Sequence, residues 1–165
     1  MIGIFNDNFP PVMDGVGITA QNYAYWLKEI GHDVSVITPY APNMQEVMAS
    51  ASYPIYRYLS VPIPFRAPYR YGLPFLDVPF MRQWNSMKFD LVHAHCPFTT
   101  GKLAHKIAQK QQIPLVATFH SKYRQDFEHN VRCKPIVDWM VKHIIQFYEK
   151  ADEVWIPLPA VEETL

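Results

Sequence analysis

Two short apolar runs fewer than forty residues apart, with one amphipathic helix between them, constrain this chain more than any other feature. Ile2-Gly3-Ile4-Phe5 has the length of a buried strand, and Asp33-Val34-Ser35-Val36-Ile37-Thr38, closed by Pro39, reads as a second. Between them Val16, Ala20, Tyr23, Leu27 and Ile30 recur at helical spacing, and Gly31 follows where a left-handed residue ends a helix. Strand, helix and strand at this spacing make the unit of a parallel sheet, joined by a right-handed crossover. The turn from Asn6 to Gly17 leaves N–H groups free at a helix N-terminus, where phosphate or carboxylate is attracted. It contains neither G-x-G-x-x-G nor G-x-x-x-x-G-K-[ST], so it is no dinucleotide fingerprint or P-loop, and two glycines can serve only to make a turn.

The alternation continues downstream. Ile55 to Leu59 can be a short strand, and a short helix is expected from about Val78 to Met87. Asp90 to His95 reads as a strand, and Thr99 or Thr100 can cap a helix that buries Leu103, Ala104, Ile107 and Ala108. Ile113 to Phe119 is the next strand. A helix from Lys134 to Lys150 carries the stripe Val137, Met140, Val141, Ile144 and Tyr148, and Ala151 to Ile156 is a last strand. Pro157 to Leu165 reads as the first turns of another helix. The pattern predicts an α/β fold with an open, mostly parallel sheet of about six strands and helices on both faces.

One stretch breaks the rhythm. Eight of the fifteen prolines lie between Pro39 and Pro79, and Pro62 to Pro79 can hold neither a regular helix nor a central strand. Phe65, Tyr69, Tyr71, Phe75 and Phe80 stand there with Arg66 and Arg70, as a binding surface or as a loop packed on the sheet edge.

Composition narrows the function. At 165 residues, 49% hydrophobic, the chain is one domain with a sizeable core. Fifteen basic and fifteen acidic side chains cancel, so no overall field draws it to nucleic acid and any anion site must be local. Cys96 and Cys133 read as reduced thiols. Met1 leads straight into a strand without a signal-peptide pattern, and no apolar run approaches the ~20 residues of a membrane span. The expected location is cytoplasmic, with any membrane contact peripheral.

In open parallel sheets the ligand crevice lies beyond the carboxyl ends of the strands. Three polar clusters fall there: Asn6 to Gly17, His93-Ala94-His95, and His120-Ser121-Lys122. His93 and His95 are read as turned to opposite faces of the sheet, which is poor geometry for sharing a metal. A zinc set of His93, His95, Cys96 and His120 matches no closed spacing, and no metal is expected. His105, beside Lys102 and Lys106, reads as solvated. His120 has two readings, a group that orients a reacting ligand at neutral pH or a hydrogen-bonded histidine that only ends a strand.

The ordered set N-D-N-F-P-P-V-M-D-G-V-G, L-K-E-I-G-H-D-V-S-V-I-T-P, F-D-L-V-H-A-H-C-P-F-T-T-G, I-P-L-V-A-T-F-H-S and A-D-E-V-W-I-P carries a resemblance. It resembles the N-terminal domain of family-4 retaining glycosyltransferases over essentially the whole chain, most of all members that glycosylate lipids such as diacylglycerol. The resemblance implies a Rossmann-like sheet that is the N-terminal half of a two-domain GT-B fold. It implies hexose transfer, with retention, from a nucleotide sugar such as UDP-glucose to a hydroxyl of a lipid or saccharide. On this reading Gly15, Val16 and Gly17 lie near the donor phosphates, and His120 orients the reacting sugar with Ser121 beside it. Asp7, Pro11 and His95 border the acceptor, and Lys122 and Arg124 neutralise an anionic substrate. No cofactor or metal is implied, the nucleotide sugar being a substrate.

Two departures stand out: Asp14-Gly15-Val16-Gly17 replaces the adjacent glycines common in the family, and Pro157-Leu158-Pro159 replaces its Pro-Ser. The family's second, nucleotide-sugar-binding domain cannot fit in 165 residues, so residues 1–165 are expected to be the acceptor-side domain, inactive alone. A nucleotide-sugar epimerase of the same architecture, with Asp7 as acid/base candidate, and a non-catalytic α/β binding domain are the alternatives. The segment from Arg57 to Arg82, rich in tyrosine and arginine, carries an expectation of weak peripheral membrane contact.

Overall fold

The computed structural model describes residues 1–64 and 66–156, so Phe65 and the helix expected from Pro157 to Leu165 lie outside the described residues. Strand β1 (Ile2–Phe5), helix α1 (Gly15–Glu29) and strand β2 (Val34–Pro39) form the opening unit that the sequence predicts. They are followed by α2 (Met44–Ser50), β3 (Ile55–Tyr58), β4 (Ser60–Pro62), β5 (Arg70–Gly72) and α3 (Val78–Ser86). The chain continues through β6 (Leu91–Ala94), α4 (Thr99–Gln111), β7 (Leu115–Thr118), α5 (Tyr123–Asn130), α6 (Lys134–Tyr148) and β8 (Glu153–Trp155).

Six strands build one sheet in the order β3-β2-β1-β6-β7-β8, with every neighbouring pair parallel. Strand order reverses direction between β1 and β6, so a crevice opens beyond their carboxyl ends. The proline-rich stretch stays out of this sheet: β4 and β5 form a separate antiparallel hairpin, followed by a single 3-10 turn at Pro74–Leu76.

Side chains alternate across the sheet. One face carries Phe5, Ile37, Val92, Ala94, Leu115 and Ala117 into a core with Leu103, Ala104 and Ile107 of α4, and with Phe147 and Tyr148 of α6. The other face carries Ile4, Val34, Val36 and Ile55 against Ala20 and Ala24 of α1 and Met44 of α2. Helices therefore cover both faces, and the four residues predicted to be buried on α4 are buried, joined by Thr100 and Gly101. Gly101 is a close approach, because a Cβ there would collide with the Cys96 carbonyl oxygen and lie 3.0 Å from the Phe147 ring.

Three local expectations are corrected. The buried side of α1 runs through Gly17, Ala20 and Ala24, while Ile30, placed on the stripe, is 69% exposed. Small side chains let the helix approach the sheet, so it turns toward them and away from the bulkier stripe. Helices α2 and α5 lie in stretches where no element is predicted. Neither Thr99 nor Thr100 supplies a side-chain cap to α4. Gly31 does take the left-handed conformation expected after α1, with φ of 95°.

Candidate functional site

The turn after β1 is tied down by its own polar side chains. Asn6 is fully buried; its amide donates to the Asn8 carbonyl, and its Oδ1 accepts a hydrogen bond from Cys96 Sγ at 2.8 Å. Asp7 Oδ1 accepts the Thr100 N–H at 3.1 Å, so the cap of α4 comes from the end of β1, 93 residues earlier. Asp7 Oδ2 is sealed from solvent and has no partner among the described residues. Burial pushes the Asp7 carboxyl up to about 6, opposed by the hydrogen bonds at Thr100 and Thr99 and by Lys102.

At the start of α1, Asp14 caps the helix by accepting the Gly17 N–H at 2.5 Å. Of the three residues expected at a phosphate, Gly17 thus already has its amide engaged. Gly15 is exposed, a Cβ there would meet nothing within 4 Å, and the N–H groups of Gly15 and Val16 have no partner among the described residues. Pro11 is exposed, just after the cis Pro10–Pro11 peptide bond.

The reading of His93 and His95 as turned apart fails, because residues two apart on a strand share a face. His93 lies in register with Ile4 of β1 and Val116 of β7, on the α1 side of the sheet. Its ring stacks on His95 at 4.2 Å between centroids and 29° between planes. His95 stacks in turn on His120 at 5.3 Å and 21°, with His95 Nδ1 and His120 Nε2 hydrogen-bonded at 3.0 Å. His93 Nε2 is bonded to Thr118 Oγ1 at 2.7 Å. Tyr23 of α1 stands against His93 and His95 at 5.1 and 5.2 Å, and Trp155 of β8 meets His93 edge-on at 5.0 Å.

Burial holds this column neutral. His93 is brought down to about 4, chiefly by loss of solvent and secondarily by His120. His95 is held well below the usual histidine range by burial, then by its two histidine neighbours. Burial lowers His120 as well, while the Asp14 carboxylate pulls the other way. Near neutral pH the three rings are therefore uncharged donors and acceptors, suited to orienting a ligand. Among the described residues, no three His, Cys, Asp or Glu side chains gather closely enough to hold a metal ion.

The other predicted residues are less central. Ser121 is half-buried and its carbonyl accepts the Tyr123 N–H at 2.9 Å, while Lys122 is exposed. The Arg124 guanidinium is already held by Asp138 at 2.8 Å and Glu128 at 3.7 Å. His105 is half-buried on α4. On the β2 side of the crevice a small cleft is lined by Asp7, Phe9, Val12, Tyr40 and Arg70. There Arg70 donates to Ser60 Oγ at 2.7 Å and to the Ser60 carbonyl at 2.9 Å.

Sequence reasoning missed Tyr23, Thr118 and Trp155 as parts of the site, and it placed Asp14 in the first cluster without giving it the capping role. That role was legible, since an Asp directly before a helix start is a cap signal. Tyr23 sat on the helical stripe as a core residue. Thr118 and Trp155 carry no local signal, because only strand pairing brings them to the histidines.

A family model described as Glycosyltransferase Family 4 matches residues 13–165. An alpha-monoglucosyldiacylglycerol synthase of Acholeplasma laidlawii is 34% identical over 130 residues, 79% of this chain and 32% of that protein. A protein of the same name from Streptococcus pneumoniae is 27% identical over 170 residues, covering 99% of this chain and 36% of its own length. The chain thus spans about a third of the length of these curated relatives. Among solved structures, MurG of Acinetobacter baumannii has a TM-score of 0.53 at 16% identity, over 96% of this chain and 40% of that one, a likeness of fold.

Proposed function

The chain belongs to glycosyltransferase family 4, and from that premise we propose that it is the acceptor-side domain of a retaining hexosyltransferase. The whole enzyme moves a hexose from a nucleotide sugar, such as UDP-glucose, to an acceptor hydroxyl on a lipid. The observation that supports this reading is that the His95–His120 pair and the Gly15 and Val16 amides, which have no partner among the described residues, follow the carboxyl ends of the neighbouring strands β6, β7 and β1. The names of the two synthases, which specify a glucosylated diacylglycerol, support glucose and a lipid.

The donor phosphates meet the Gly15 and Val16 N–H groups at the positive end of α1, and a second domain contributes the rest of the nucleotide site. Residues 1–165 alone form half of the cleft and are inactive. His120 hydrogen-bonds the reacting sugar and orients it. The chain's contribution is positioning in a dry, neutral setting rather than a strong base, and no bound divalent metal is required.

In the full-length enzyme, His120→Ala lowers kcat by about tenfold or more with the fold retained. Turnover near the wild-type rate in that variant removes His120 from the mechanism. A panel of nucleotide sugars offered with diacylglycerol or with soluble saccharides identifies donor and acceptor class.

The enzyme works at the cytoplasmic face of a membrane by weak peripheral contact. Among the described residues no helix is long and apolar enough to cross one. Exposed Tyr71, Phe75, Leu76 and Val78, with Arg66 nearby in sequence, form the candidate contact. Flotation of the full-length protein with anionic but not neutral liposomes supports this, and equal recovery with both counts against it.

A further inference from the structure

We propose that His95 is a positioning residue that fixes which nitrogen of His120 carries the proton, so that His120 presents Nδ1–H to the crevice. The proposal rests on the reading of His120 as the sugar-facing residue and assigns the group behind it a task.

A neutral imidazole has one N–H, and the short contact between His95 Nδ1 and His120 Nε2 needs one donor and one acceptor. Two arrangements satisfy it. In the first, His95 Nδ1–H donates to His120 Nε2, and His120 carries its own proton on Nδ1. In the second, His120 Nε2–H donates to His95 Nδ1, which puts the His95 proton on Nε2. The surroundings of His95 separate them. The residue is wholly buried, its ring is stacked on both neighbouring histidines, and its Nε2 has no hydrogen-bond partner among the described residues. The second arrangement strands an N–H there, whereas the first strands only a lone pair. Buried N–H groups without an acceptor are the rarer defect.

The His93 ring is tied elsewhere, its Nε2 hydrogen-bonded to Thr118. The stack of His93 and the contact with Tyr23 hold the His95 ring in place. With Nε2 occupied as an acceptor, His120 offers the crevice a donor at Nδ1, which makes no hydrogen bond among the described residues. It can therefore hold a sugar oxygen but is not a free base through Nε2.

Long-range proton–nitrogen NMR on the 15N-histidine-labelled chain near neutral pH reads this directly. The expected spectrum has His120 protonated at Nδ1 and bare at Nε2, and His95 protonated at Nδ1. His95→Asn, whose amide nitrogen occupies nearly the place of Nδ1, keeps that pattern on His120. His95→Leu moves His120 toward the Nε2–H form that free imidazole side chains favour in water. A wild-type spectrum with the His120 proton on Nε2 overturns the proposal, and so does an unchanged His120 pattern in folded His95→Leu.

In the full-length enzyme His95→Leu lowers kcat about fivefold or more with donor KM within about twofold, and His95→Asn restores most of it. A structural role alone would not be rescued by asparagine. If the full-length enzyme turns over no nucleotide sugar, the transferase reading fails, and the spectrum still decides the tautomer. If it is active but His120 holds its proton on Nε2, only the inference about His95 fails.

Discussion

Strand β6 sends Val92 and Ala94 to one side of the sheet and His93 to the other, with His95 following on the same side as His93. Val92 and Ala94 enter a largely apolar core with Leu103, Ala104 and Ile107 of α4. His93 and His95 lie comparably deep under α1, yet among the described residues their side-chain hydrogen-bond partners are only Thr118 and His120, and the buried Nε2 of His95 has none. An interior strand of a doubly covered parallel sheet normally reads apolar on both faces. The contrast separates two duties within one strand: the α4 side holds the domain together, while the α1 side keeps costly polar groups where the sheet opens into a crevice. Departures from local consistency of this kind concentrate at functional sites.

The largest effect should come from the α4 side. Gly101→Val drives a side chain into the Cys96 carbonyl and the Phe147 ring and should cost about 3 kcal/mol or more. Chemical denaturation measures it, and a variant as stable as the wild type would mean that α4 and β6 are not closely packed.

Acid should attack the histidine side. His93 takes up its proton at about 4 in the fold against 6.5 in the unfolded chain, so between those values only the unfolded chain binds it. Stability is complete above pH 6.5 and falls as the pH drops toward 4, by ~1.4 kcal/mol per pH unit for each such histidine. His95 acts in the same direction. Denaturation curves at pH 7, 6 and 5 test the slope, and a flat profile would deny that the column is neutral.

Asp7 acts with the opposite sign. Its folded value of about 6 lies above the usual 3.8, so the fold retains a proton that the unfolded chain has lost, and this contribution disappears as pH rises through 6. Asp7→Asn keeps an acceptor for the Thr100 N–H and should stabilise the protein by about 1–2 kcal/mol at pH 8, with little difference at pH 4. Equal stability at both pH values would place the carboxyl in water.

The smallest effect sharpens the division of duties. Replacing both members of one hydrogen bond, His93→Leu with Thr118→Val, should change stability at pH 7 by less than about 1 kcal/mol. The same pair should flatten the acid slope. A large loss of stability would make the histidine face a structural one.

The sheet was largely legible in the sequence because each interior strand is a short apolar run closed by a turn signal, and the helices between them carry their own period. Legibility ended where one segment depends on another far away. The cap of α4 sits on Asp7, so inspection of Thr99 and Thr100 could not find it. The face of α1 follows close approach at Gly17, Ala20 and Ala24 rather than the larger residues that define the periodic stripe. The clusters at the ends of β1, β6 and β7 were visible as a set, because strand ends can be read from sequence. Their internal arrangement was not. The misreading of His93 and His95 concerned the period-two rule itself, and it hid a stack that the spacing already implied.

The turn between β1 and α1 has a thermodynamic consequence. Asn6 and Cys96 hold its start, Asp7 ties it to α4, a Val12 to Phe9 backbone bond closes its middle, and Asp14 seals its end. Fixing a residue's backbone costs about 1–2 kcal/mol in conformational entropy. Here that cost falls during folding, so under the proposed phosphate contact a ligand at the Gly15 and Val16 amides would meet a turn with little freedom left to lose. Affinity at this edge of the cleft should therefore respond to the ligand's own stiffness more than to reordering of the protein.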